Sequence, residues 1–238
     1  MQTNWKWNRF LEFHKVEKRK GQFSVEEWQN YFFLLGEQSK QFYSTSWLQS
    51  RSFRFLSTTD NITFLDDILV GFHQVNEQLP FDLSIQNPYD PIIVKPEEIL
   101  KITKEQETNR DYGLLIFFEG FVSESEGVKY SDSMLTGGFG NSPRGYMVVE
   151  SRSKGFSQNK ITKKIRQIAA HELMETLTPR HVPHCNEMSP MGEYMIEGPT
   201  GREYHHKRCV FAGNYYKTVC HLCKDMSINF FRGLGVDV

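Results

Sequence analysis

Residues 168–185 read IAAHELMETLTPRHVPHC, and the fold turns on what this stretch is. It sets His171 and Glu172 side by side within an apolar helical pattern. Ile161, Ile165, Ile168 and Ala169 recur at the spacing of one buried helix stripe. Asn159 or Ser157 can cap the start. Pro179 marks the end, because the residue before a proline avoids helical geometry. The stretch therefore predicts a helix over about 161–177. At about 100° per residue, His171 and Glu175 project about 40° apart on one face next to the stripe. Glu172 falls roughly 60° further round, beside the stripe rather than in open water.

Two ligands at i and i+4 on one helix face can reach the same tetrahedral zinc, which is the physical reason for the HExxH arrangement. Glu175 stands where the second histidine of that arrangement would be. A carboxylate is an ordinary ligand of catalytic zinc, although it lowers the net charge of the site and weakens its pull on a bound water. The glutamate between the ligands stands beside the open coordination position as general base. Taken alone, HE followed by E also occurs on helices by chance, with Glu175 a surface carboxylate.

The residues that follow favour metal. His181 lies ten residues after His171, and His184 directly precedes Cys185. All four cysteines (Cys185, Cys209, Cys220 and Cys223) fall in the last quarter of the chain, and the last two close VCHLC. In a reducing compartment, clustered cysteines with a CxxC pair argue for metal before disulfide.

In these motifs the chain resembles the archaemetzincins, a metzincin-like family of zinc proteases with the pattern HExxHxxGxxHC, a second cysteine before a methionine, then CxxC. The resemblance spans about residues 110–225. It implies an α/β fold with a metzincin-like twisted mixed sheet and an active-site helix. It also implies a C-terminal zinc-ribbon-like module over 185–225, in which Cys185, Cys209, Cys220 and Cys223 hold a structural Zn2+. His205, His206 and His221 are alternatives if one cysteine is not a ligand. A second Zn2+ would sit in the active site on His171, Glu175 and a third ligand, with Glu172 as the catalytic base. His181 has the family's spacing for that third ligand, and His184 has the family's following cysteine.

The chain departs from the family at Glu175, at Thr178 in place of a glycine, and at Phe211 in place of the methionine. A β-branched residue tolerates positive φ poorly, so the turn after the helix is expected to differ. The stretch EMSPMGEYMIEGPTGREYHHK also lengthens the gap from Cys185 to Cys209.

Upstream, residues 1–50 read as a helical extension and 51–238 as the metzincin-like domain. Ser24 and Glu27 form a capping-box signature, with Phe23 placed for a hydrophobic staple. Trp28, Phe32, Leu35 and Phe42 then repeat at roughly helical spacing, as a core stripe does. SFRFLS reads as a strand, NITFLDDILVGFHQVNEQL as a helix, FDLSIQ as a strand and PEEILKITKEQ as a helix. DYGLLIFFEGFVS is apolar enough for a buried central strand. A loop rich in Gly, Ser and Asp follows. GYMVVESRS (145–153) is then expected to be the sheet edge above the cleft, where a peptide adds as a strand.

Net charge is −1, so no global field recruits nucleic acid. The basic cluster HKVEKRK (14–20) reads as a solvated helix face. No apolar run approaches the roughly 20 residues of a membrane span. MQTNWKWNRF lacks an apolar signal core, so a cytoplasmic protein is expected. Two functions fit the residues. One is a zinc peptidase acting on a peptide or protein through a Glu172-activated, zinc-bound water. The other is a catalytically impaired relative whose cleft binds peptides without hydrolysing them.

Overall fold

The computed structural model describes residues 12, 23–60, 64–106, 111–125, 127, 129, 135–152, 158–180, 196–198, 201–203, 209–212 and 217–238. His181, His184, Cys185, His205 and His206 lie outside the described residues, as does most of the helix expected before residue 23. The fold is α/β with a mixed sheet.

Its strands are β1 (Ser52–Ser57), β2 (Ser84–Gln86), β3 (Ile92–Ile93), β4 (Gly113–Glu119), β5 (Thr136–Asn141) and β6 (Tyr146–Ser151). The main path runs β2-β1-β4-β6-β5, and β3 also pairs with β1. Every pairing is parallel except β5 with β6, which is antiparallel. The longer helices are α1 (Val25–Ser39), α2 (Leu65–Asn76), α3 (Ile99–Glu105), α4 (Gln158–Thr176) and α5 (His221–Leu234), and two four-residue helices lie at Ser46–Gln49 and Val122–Ser125. A small second sheet joins Phe23–Ser24, Ile196–Gly198 and Gly201–Glu203.

The apolar run at 113–119 takes the centre because it can bury both faces, as parallel strands between helices must. Leu115 and Phe117 point with Phe53, Phe55, Met147 and Val149 into the larger core, which α1, α2, α4 and α5 complete. Leu114, Ile116 and Phe118 point the other way, into a smaller cluster with Leu56, Tyr146, Val148 and Ile99. Period-two alternation thus splits each inner strand between two layers.

Ser24 and Glu27 exchange the reciprocal bonds of a capping box at the start of α1. Trp28, Phe32 and Leu35 are buried along it, whereas Phe42 lies beyond the helix and is 42% exposed. The helix packs on α5 in the same core as the main sheet. Gly36 and Gly233 make that packing close: a Cβ on Gly36 would stand 2.1 Å from the Phe230 carbonyl oxygen, and one on Gly233 2.0 Å from that of Phe33.

Two expectations are corrected. The strand at 146–151 is not the sheet edge, because β6 lies between β4 and β5. Among the described residues that edge is β5, TGGFGN, part of the stretch expected as loop. Its glycines argue against a strand by propensity. Contact with α4 overrides that preference.

Candidate functional site

α4 carries the candidate residues on its C-terminal half. Ile161, Ile165, Ala169, Ala170, Leu173 and Met174 are buried, which fixes the helix against α2 and the sheet and sets the rotation of everything else on it. The helix ends at Thr176, and the Thr178 hydroxyl donates to the Met174 carbonyl at 3.0 Å and to that of Glu175 at 3.2 Å. Thr178 closes the helix without positive φ, so the turn needs no glycine.

His171 and Glu175 meet on one face as the helical spacing requires. The His171 Nε2 lies 3.4 Å from Glu175 Oε1, and both side chains are partly buried. On its other side, His171 Nδ1 is 3.0 Å from the Val210 carbonyl oxygen. A carbonyl only accepts, so this bond puts a proton on Nδ1 and, when the imidazole is neutral, turns Nε2 as an acceptor towards Glu175. In that form Nε2 and a carboxylate oxygen are two acceptors facing one another, which a cation between them would satisfy; in the protonated form they make an ion pair. Two ligands about 2.0–2.1 Å from a tetrahedral zinc lie about 3.3 Å apart, and the observed separation matches that distance. The second Glu175 oxygen, Oε2, accepts from the Gly140 amide at 3.4 Å, an outer contact of the kind that orients a ligating carboxylate.

Glu172 is only 3% exposed, further inside than helix geometry alone indicated. Its Oε2 has no hydrogen-bond partner among the described residues. Burial pushes its carboxyl well above the usual carboxylate range, and the charges of Glu175 and Glu150 push the same way. The strand β5 walls it in. A Cβ on Gly138 would come within 2.7 Å of Glu172 Cγ and 2.9 Å of its Oε1. A Cβ on Gly140 would meet the Glu172 carbonyl oxygen at 2.6 Å and Glu175 Cβ at 2.8 Å. The two glycines therefore allow an edge strand to lie directly on the HE segment.

Next to His171 is a second cluster. The Sγ atoms of Cys209, Cys220 and Cys223 all lie within 4.8 Å of one another, and this triad can hold a metal ion. Sulfurs about 2.3 Å from a tetrahedral zinc stand about 3.8 Å apart, so little closing is needed. Cys220 caps α5 and accepts from the Cys223 amide at 3.4 Å, while Cys209 accepts from the Cys220 amide at 3.4 Å. Backbone amides aimed at sulfur suit thiolates bound to metal. The triad is held from both sides. The Trp28 indole donates to the Leu222 carbonyl at 3.3 Å, and Gln78 accepts from the Val219 amide at 2.9 Å while donating to the Lys217 carbonyl.

Cys185, expected as the fourth cysteine ligand, and the two candidate third ligands His181 and His184 lie outside the described residues. His221 is exposed on the first turn of α5. Phe211 is fully buried with its ring 5.5 Å from that of His171, edge to face. Val210, which meets His171 through its backbone, and Gly138 and Gly140, which admit β5, escaped the sequence reading. Their signals were present but indirect: a residue flanked by Cys209 and Phe211, and glycines grouped before a strong strand.

Away from α4, a groove of about 290 Å³ opens by the smaller core cluster, lined by Arg54, Ile92, Ile102 and Tyr112 among others. Among the described residues, no helix is long and apolar enough to cross a membrane. Comparison with family models, curated proteins and solved structures finds no match to this chain.

Proposed function

We propose that this chain is a metal-dependent, metzincin-like peptidase of the cytoplasm, with a catalytic zinc at His171 and Glu175 and a structural zinc at the cysteines. The observation that carries this reading is the 3.4 Å approach of His171 Nε2 to Glu175 Oε1, beside a buried glutamate with one oxygen unpartnered among the described residues. A zinc ion there would supply Lewis acidity to a substrate carbonyl and to water.

The chain's own residues divide the remaining work. His171 and Glu175 hold the ion, with His181 or His184 as third ligand and Cys185 completing the cysteine centre. Glu172 takes a proton at Oε2 and returns it to the leaving amine. Burial and the neighbouring carboxylates raise its affinity for protons above the ordinary carboxylate range, the direction that strengthens a general base. The edge strand β5 offers an extended peptide a place to pair, next to the helix that bears the ligands.

A second reading is favoured by the depth of Glu172 and by Phe211 packed on His171. In it the same cleft binds a peptide without cutting it. A broad peptide library digested in parallel by the wild type and Glu172→Gln separates the two. The peptidase reading predicts cleavage by the wild type and none by the variant, with equal zinc in both. Equal cleavage by both, or none by either, leaves the binding module as the better account.

A further inference from the structure

We propose that the cysteine centre positions His171, so that filling one metal site prepares the other. The connection is a three-residue turn. Cys209 supplies a sulfur to the triad, Val210 bonds His171 Nδ1 through its carbonyl, and Phe211 packs its ring on the imidazole. No residue intervenes between the sulfur ligand and the clamp on the histidine.

The turn is held by backbone and by the sulfurs. The Val210 amide donates to the Thr218 carbonyl at 2.9 Å, and Cys209 forms a single bridge with Thr218. Cys209 also lies among the sulfurs at the start of α5, and the turn packs in the larger core. A metal ion shared by Cys209, Cys220 and Cys223 ties that turn to a helix already held by α1. Releasing the ion frees Cys209 and with it the Val210 carbonyl.

The chemical consequence is specific. A free imidazole in water samples both neutral tautomers, whereas a carbonyl facing Nδ1 selects the one with Nε2 open. Losing such an outer contact typically costs about 10- to 100-fold in metal affinity. Val210 and Phe211 are therefore positioning residues rather than ligands. By linkage, metal at His171 and Glu175 tightens the cysteine centre by the same factor. The tautomer half of this proposal rests on metal at the cysteines alone. The affinity half also rests on the peptidase reading.

The test adds zinc stepwise to the full-length chain after stripping with a chelator. The His171 ring nitrogens are followed by NMR, and far-ultraviolet circular dichroism monitors the fold. The first equivalent is expected to convert His171 from mixed tautomers to the Nδ1–H form, before any second equivalent binds. A stripped, folded chain already fixed in that form overturns the proposal. If stripping unfolds the chain, the comparison passes to Cys209→Ser, which detaches the turn from the triad and leaves the other cysteines in place. Loaded with zinc at its remaining cysteines, this variant should show His171 in mixed tautomers again, and a second equivalent bound about tenfold more weakly than in wild type. An unchanged tautomer in that variant overturns the proposal. A wild type that takes up one equivalent only removes the peptidase reading, and the tautomer result still decides this one.

Discussion

Glu150 shows what one buried carboxylate does here. It lies on β6, is 6% exposed, and accepts from the Val122 amide at 2.8 Å. Burial raises its pKa, and the charge of Glu124 adds to that. The folded chain therefore holds this proton more tightly than the unfolded chain. The stability it contributes is complete below the ordinary carboxylate pKa and is lost as pH rises through the raised value. Glu150→Gln keeps an oxygen for Val122 and removes the charge. Its melting temperature should exceed that of wild type at about pH 8 and converge with it near about pH 4. A difference independent of pH would contradict this account of Glu150. Single residues were the most legible scale in the sequence where they act through spacing. His171 and Glu175 share a face because 3.6 residues make a turn. The Val210 carbonyl was hidden because the contact joins positions 39 residues apart and uses the backbone, which no side-chain motif records.

Elements were legible where their own pattern decided them, and misread where a neighbour did. The strands at 52–57, 113–119 and 146–151 and the helices α2 and α4 appeared in the sequence because apolar periodicity and end signals agreed. The glycine-rich β5 did not, since its strand state depends on the helix lying against it. Helix α5 begins in the stretch expected as a zinc ribbon from its cysteines. Yet Leu222, Met226 and Phe230 repeat at i+4 and are all buried. The crossing of α1 with α5 gives this scale its test. Gly36→Ala or Gly233→Ala forces a methyl into a facing carbonyl and should cost about 1–3 kcal/mol, read as a lower midpoint in denaturant with unchanged slope. A variant as stable as wild type would show that the helices separate without cost.

At the scale of the whole molecule, the mixed sheet, the HE helix and the cysteine cluster form one connected body. α1 packs on α5, α5 begins at the cysteines, and the turn after Cys209 meets α4. Metal at the cysteines should therefore stabilise the fold as a whole, because an ion that binds only the folded chain adds its binding free energy to folding. Cys220→Ser should lower the melting temperature sharply, and a chelator should do the same to the wild type while leaving the variant little changed. An equal chelator effect on both would place the stabilising metal elsewhere. The sequence disclosed the cysteines through their clustering, but it left open how they stand to His171. That relation depends on a turn whose conformation comes from tertiary packing. The central claim is that His171 and Glu175 hold a metal ion of their own, and the most direct measurement is zinc content per chain in wild type and Glu175→Ala, both purified without added zinc. The account predicts two zinc ions in the wild type and one in the folded variant, retained at the cysteines. The same zinc content in both proteins would contradict it.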